Sequence, residues 1–129
     1  MGVRNATVQS NTLVASPSGS GETLICQAGP LNLIFDNATV LIHAFVELVI
    51  GTSGNLCTMS LRRGGTITSP LVNVGSGATV VAGSRYRFAM NYFDTPGIVA
   101  GLIYNLDLTI GAAAAASTVA DVCLIAEVL

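Results

Sequence analysis

General acid–base catalysis near neutral pH most often rests on a histidine, and this chain has one, His43, within ATVLIHAFVELVIG (38–51). To act as a base it needs a nucleophile within hydrogen-bond reach and a carboxylate to orient it. Glu47 shares its strand face but lies roughly 13 Å away at the rise of a β-strand. His43 therefore reads as a structural residue. A zinc site or a disulfide framework wants short, paired spacings. Cys26, Cys57 and Cys123 are odd in number and widely spaced, and read as buried free thiols in a reducing compartment. SGSGET (18–23) has glycines but lacks the lysine of a phosphate-binding loop, so it reads as a hinge. Asp94, in FDTPG (93–97), reads as the opening of a tight turn, with the proline and glycine presetting the backbone. These residues supply no catalytic, metal or cofactor-binding set, so the expectation is a protein that is not an enzyme and carries no cofactor.

The remaining candidates are the arginines. All five basic residues are arginine, and two stand side by side in TMSLRRGGTITSPLV (58–72). In a strand, successive side chains point to opposite faces. Thr58, Ser60 and Arg62 then share one face, and Cys57, Met59, Leu61 and Arg63 the other. The two arginines cannot form one basic patch. Arg63 ends the apolar face, where its stem covers the core rim. Arg62 lies outside, suited to planar pairing with a neighbour's carboxylate. Gly64 and Gly65 make the turn.

Strands must position these side chains, and period-two alternation dominates the chain from Glu22 onward. It predicts strands near 22–28, 31–35, 38–50, 55–63, 69–74, 78–82, 84–93, 99–110 and 117–128. Val40, Ile42, Ala44, Val46, Leu48 and Ile50 form one apolar face. Tyr86, Phe88, Met90 and Tyr92 form another, opposed by Arg85, Arg87 and Asn91. Leu102, Tyr104, Leu106, Leu108 and Ile110 oppose Asn105, Asp107 and Thr109. Ala120, Val122, Leu124, Ala126 and Val128 oppose Asp121 and Glu127. GAAAAAS (111–117) is too short for an isolated helix and reads as a loop. The pattern is that of an all-β antiparallel sandwich or barrel. Residues 1–21 read as an N-terminal arm and hinge, with a first strand at TLVA (12–15) as the alternative, and residues 22–129 as the folded domain.

Composition says what surrounds that domain. Only 9% of the 129 residues are charged while 51% are hydrophobic, against about 25% charged in an ordinary soluble domain. No apolar run reaches the roughly 20 residues of a membrane-spanning helix, and a net charge of −2 makes no electrostatic case for nucleic acid. Low charge then points to protein partners that cover the surface, with no membrane and no nucleic acid.

The order LCTMSLRRGG, LVNVGSGATVVAGSRYRFAMNYFDTPG, LIYNLDLTI, STVADVCLIAEVL resembles the C-terminal jelly roll of small virion proteins of tailed bacteriophages. These are capsid decoration or head-fibre proteins whose topology is similar to the tumour necrosis factor fold. The resemblance spans about residues 38–129 and rests on Leu61–Gly64, Ala82–Ser84, Asp94–Gly97, Tyr104–Leu106 and Val122–Leu129. It implies an antiparallel jelly-roll β-sandwich, a homotrimer, and a structural, non-enzymatic role as a decoration or cement protein on the virion surface, assembled in the host cytoplasm. The implied partners are the major capsid protein or other virion proteins. With no fibre shaft in the sequence, a compact decoration protein is expected rather than a spike. The competing reading is a carbohydrate- or receptor-binding module of a virion fibre or tail. It is weakened by the lack of tryptophan and the presence of only three tyrosines. Partner contacts are expected from the arm, through Arg4, Val8, Leu13 and Val14, and from Arg62. The arm is expected to be mobile until it adds to a neighbour's sheet edge.

Overall fold

The computed structural model describes residues 6–17, 21–49, 51, 55–67, 69–74, 78–80, 83–110 and 117–129. They form nine strands: β1 (Ala6–Ser10), β2 (Gly21–Leu33), β3 (Val40–Val49), β4 (Asn55–Arg63), β5 (Leu71–Val74), β6 (Ala78–Val80), β7 (Arg85–Asp94), β8 (Val99–Ile110) and β9 (Thr118–Val128). One sheet has the order β1-β9-β3-β7 and the other β2-β8-β4-β5, with β6 also on β4. Every pairing is antiparallel.

The pairs β1–β9, β2–β8, β3–β7 and β4–β5/β6 make one long antiparallel hairpin of the whole chain. Rolling that hairpin lays β9 beside β3 and β8 beside β4, and sends its successive strand pairs to alternate sheets. This is the jelly roll. The predicted antiparallel sandwich is therefore the observed one.

Apolar side chains from both inner faces meet between the sheets. Ile42, Val46 and Leu48 of β3 and Leu124 of β9 face Met59 and Leu61 of β4 and Tyr104, Leu106 and Leu108 of β8, all buried. Each such aliphatic side chain contributes about 2 kcal/mol through burial.

Three expectations change. Residues 6–10 are not part of a free arm. They form β1, with Ala6 opposite Val128 and Ser10 opposite Leu124. ATVQS is mostly polar because β1 is an edge strand exposed on one face, and that polarity hid it. The two strands expected at 22–28 and 31–35 are one, β2, which runs through a register shift between Ala28 and Leu31 and ends at Leu33, leaving Ile34 and Phe35 beyond it. In β9 the alternation breaks: Val119 is buried and Ala120 exposed, because the register with β3 shifts between Glu47 and Leu48. One extra residue there, a β-bulge, flips the inward set upstream of Val122. Ile50, the 18–20 hinge and the alanine run at 111–116 lie outside the described residues.

Candidate functional site

The alternation through β4 sends Arg62 and Arg63 to opposite faces, and each finds a carboxylate. Arg63 turns inward. Its guanidinium binds both oxygens of Asp94, at the end of β7 in the opposite sheet, with Nε donating to Oδ2 at 2.9 Å. The buried Tyr104 hydroxyl donates to the same oxygen at 2.6 Å. Asp94 was expected to cap its own turn; its carboxylate instead ties the two sheets together at the rim of the core. Burial, with the Asp94 carboxylate next, pushes the Tyr104 phenol far above its ordinary range.

Arg62 turns outward and is 19% exposed. Its Nε and Nη2 bind Glu22 of β2 bidentately at 2.7 and 2.8 Å, and Nη1 donates to the Ser69 carbonyl at 2.8 Å. The planar pairing expected with a neighbour is thus made within the chain. Beneath Arg62 lies Asp107 of β8, with no exposed surface although it is on the outer face. Beside it, residues 64–67 fold back over Asn105. Gly64 donates from its backbone to the Ile103 carbonyl at 2.8 Å, and Gly65 to Asn105 Oδ1 at 2.9 Å. Gln27 Nε2 holds the Gly65 carbonyl at 2.7 Å. Both glycines have positive φ, and a Cβ on Gly64 would come within 2.7 Å of Ser69 Oγ. The RRGG sequence is a strand end followed by a fold-back that only glycine makes cheaply.

Asp107 accepts from Asn105 Nδ2 through Oδ1 at 2.9 Å. Its other oxygen, Oδ2, is buried with no hydrogen-bond donor; Arg62 Nε is 3.3 Å away but poorly aligned. The Glu22 carboxyl is within hydrogen-bonding reach. Burial first, and then Glu22, push Asp107 up to about 7. The hydrogen bonds from Arg62 hold Glu22 below its ordinary value. Two acids thus meet one guanidinium: Arg62 satisfies Glu22, and Asp107 beneath it is left with a buried oxygen that has no donor.

The other sequence candidates scatter. His43 is exposed on the outer face of β3, with Nδ1 2.6 Å from Asn91 Oδ1. Glu47 pairs with Arg85 at 3.0 Å and lies 3.7 Å from Arg87. Val8 packs against the core, so it is not free for a partner. Leu13 and Val14 are exposed, but the Val14 amide donates to the Ile25 carbonyl, which fastens this stretch to β2. Arg4 lies outside the described residues. Cys26 and Cys57 are buried and Cys123 is half-buried; all three are free thiols. Among the described residues no group of three His, Cys, Asp or Glu side chains converges as metal ligands.

Sequence reasoning missed an apolar end of the sandwich. There β2, β7 and β9 finish and β3 and β8 begin, as the pairs Leu33–Val99, Val40–Asp94 and Val40–Val128 show. Ile34 is 70% exposed and Ile98 68%, and Leu129 projects beside them. A shallow pocket at this end is lined by Ala6, Asn32, Leu33, Ile34, Phe35, Ala38 and Val128, none of which titrates. The signal was weak: Ile34 sat inside the predicted strand 31–35, whereas β2 ends one residue earlier at Leu33, and Ile98 stood just before the predicted strand 99–110.

No protein-family description and no curated protein sequence matches the chain. Solved structures do. A chain of infectious bursal disease virus, Gx strain, superposes with a TM-score of 0.58 at 10% identity over 96% of this chain. A chain of the Gt strain superposes with a TM-score of 0.58 at 11% identity, again over 96%. This chain spans about a third of those, 30% and 31%. At such identity the likeness establishes the fold: a jelly roll of the kind found in chains of a virus particle.

Proposed function

We propose that the chain is a non-enzymatic structural protein of a virion, a trimeric decoration or cement protein on the head of a tailed bacteriophage. The observation that carries the reading is the apolar end, presented by a jelly roll that superposes over nearly its whole length on chains of a virus. The chain's accessible surface is 6247 Å², near what its mass predicts for a lone monomer, yet 9% of its residues are charged. Exposed isoleucines grouped at one end of such a surface mark a protein contact. In the proposed trimer that end faces the threefold axis or the capsid lattice, and the partners are other copies and the major capsid protein.

Jelly rolls also serve as lectins. Tyr104 is buried and Tyr86 and Tyr92 half-buried, which leaves few exposed rings for stacking on a sugar. The test is to mix the purified protein with particles that lack it and measure occupancy, with Ile34→Asp and Ile98→Asp alongside. Saturable occupancy by the wild type, lost in the variants, is expected. Binding to glycans but not to particles would overturn the reading.

A further inference from the structure

Four strand edges close the two sheets, and three are blunted. Among the described residues β1 has five, β5 and β6 have four and three, and β2 carries three register shifts. Short or bulged edges resist pairing with another chain. β7 is different. It has ten residues, pairs with β3 from Asp94 to Arg85 without a shift, and among the described residues has no strand on its other side.

We infer that β7 is a self-pairing edge, joined antiparallel to β7 of a second copy about a two-fold axis at Ala89, so that the four-stranded sheets of two molecules run on as one. Side-chain chemistry selects this occupant and register. Residues facing each other across an antiparallel pair lie on the same sheet face, so core-facing positions must meet core-facing ones. Pairing about Ala89 places Tyr86 opposite Tyr92 and Phe88 opposite Met90 on the inner face. On the outer face, Arg85 falls opposite Phe93, Arg87 opposite Asn91, and Ala89 opposite itself. Arg85 and Arg87 are both exposed, and Phe93 is 61% exposed, large for a phenylalanine in a strand. A guanidinium over that ring is a cation–π contact, and an asparagine carbonyl accepts from the other arginine. An in-register parallel pair, or a two-fold at Arg87, would set arginine beside arginine. The two-fold at Ala89 gives both arginines a partner across the contact, beside Glu47 within the chain, and uses nine consecutive residues.

A two-fold contact of this kind is isologous and closes on itself. It uses a surface separate from the apolar end and does not depend on the virion reading. Where that reading holds, it links one trimer to the next.

The register makes the test specific. In a Cys123→Ser background, Ala89→Cys puts two thiols opposite each other, whereas Asn91→Cys puts each thiol opposite Arg87, about 13 Å from its own copy. Mild oxidation is expected to convert Ala89→Cys to a covalent dimer and leave Asn91→Cys uncrosslinked. Phe93→Arg, an exposed outward substitution, is expected to weaken association in sedimentation by about tenfold while leaving the melting temperature of the dissociated chain unchanged. Equal crosslinking of the two cysteine variants, no crosslinking of Ala89→Cys, or association untouched by Phe93→Arg would each overturn the inference. A trimer that persists through all three would leave the virion reading standing without it.

Discussion

Arg62 and Arg63 are neighbours in the chain, end the same strand and each bind a carboxylate with two nitrogens, yet they build opposite kinds of site. Arg63 closes a clamp in which one carboxylate meets one guanidinium and one phenol. Donors and acceptors balance there, and no proton is left over. Arg62 covers two carboxyls, one of them fully buried with an oxygen that has no donor. The difference comes from the sheet face. Inward, Arg63 reaches Asp94 of the opposite sheet. Outward, Arg62 bridges β2 and β8, which each bring an acid. The clamp should therefore act as a pH-independent tie through the neutral range, and the outer cluster as a proton-dependent one.

The largest effect should come from the clamp. Asp94→Ala strands the buried Tyr104 hydroxyl and leaves Arg63, which is 34% exposed, to turn to water. A loss of about 3 kcal/mol is expected in urea unfolding, similar at pH 6 and pH 8. Arg62→Met should cost about 2 kcal/mol at pH 8, where both outer carboxyls are charged, and distinctly less at pH 5, where Asp107 is protonated. Equal cost at the two pH values would erase the distinction between the sites.

Asp107→Asn tests the buried acid directly. Asp107 keeps its proton up to about pH 7 in the folded chain but loses it near 3.8 when unfolded. Between those values the folded state binds more protons, so its contribution to stability falls as pH rises through the window. Glu22 works the other way, because its pKa is lowered from 4.5: its contribution is present above that value and is lost as pH falls through the folded pKa. The cluster is therefore most stabilising in mild acid. An asparagine at 107 can accept from Asn105 and donate to Glu22, as the protonated acid does. It should stabilise the chain by about 1–2 kcal/mol at pH 8, do little at pH 5 and flatten the slope between them.

The face of each arginine was legible from alternation alone, because a strand's side chains obey period two wherever it is not bulged. Their partners were not. Glu22, Asp94 and Asp107 come from three other strands, and strand order and register are properties of the rolled chain. Asp94 was misread because DTPG carries genuine turn chemistry, and nothing local says that the aspartate's side chain faces inward. Bulges were equally opaque: Ala120 looks like any other alternating position until its partner on β3 is known. Most of the sandwich was legible because burying one face of each strand is a local demand, written every second residue. β1 escaped because its outer side is solvent and only Val8 meets the core.

The smallest effect is also the cleanest separation of the two sites. Tyr104→Phe keeps the ring, so no cavity opens, and Asp94 retains both hydrogen bonds from Arg63. What is lost is one hydrogen bond to a charged acceptor, about 1 kcal/mol at pH 7. Between pH 5 and 8 that cost should stay constant, since the phenol is protonated in both folded and unfolded chains. Above its ordinary value of 10.0 the unfolded phenol ionises while the folded one, held up by burial and by Asp94, does not. The wild type then loses stability with rising pH, and the phenylalanine variant escapes that loss. The difference between the two should shrink by about 1.4 kcal/mol per pH unit and change sign near pH 11. Urea midpoints of both proteins measured from pH 6 to 11 decide the matter. A penalty that varies between pH 5 and 8 would mean that the Arg63 clamp is coupled to the outer cluster's titration after all.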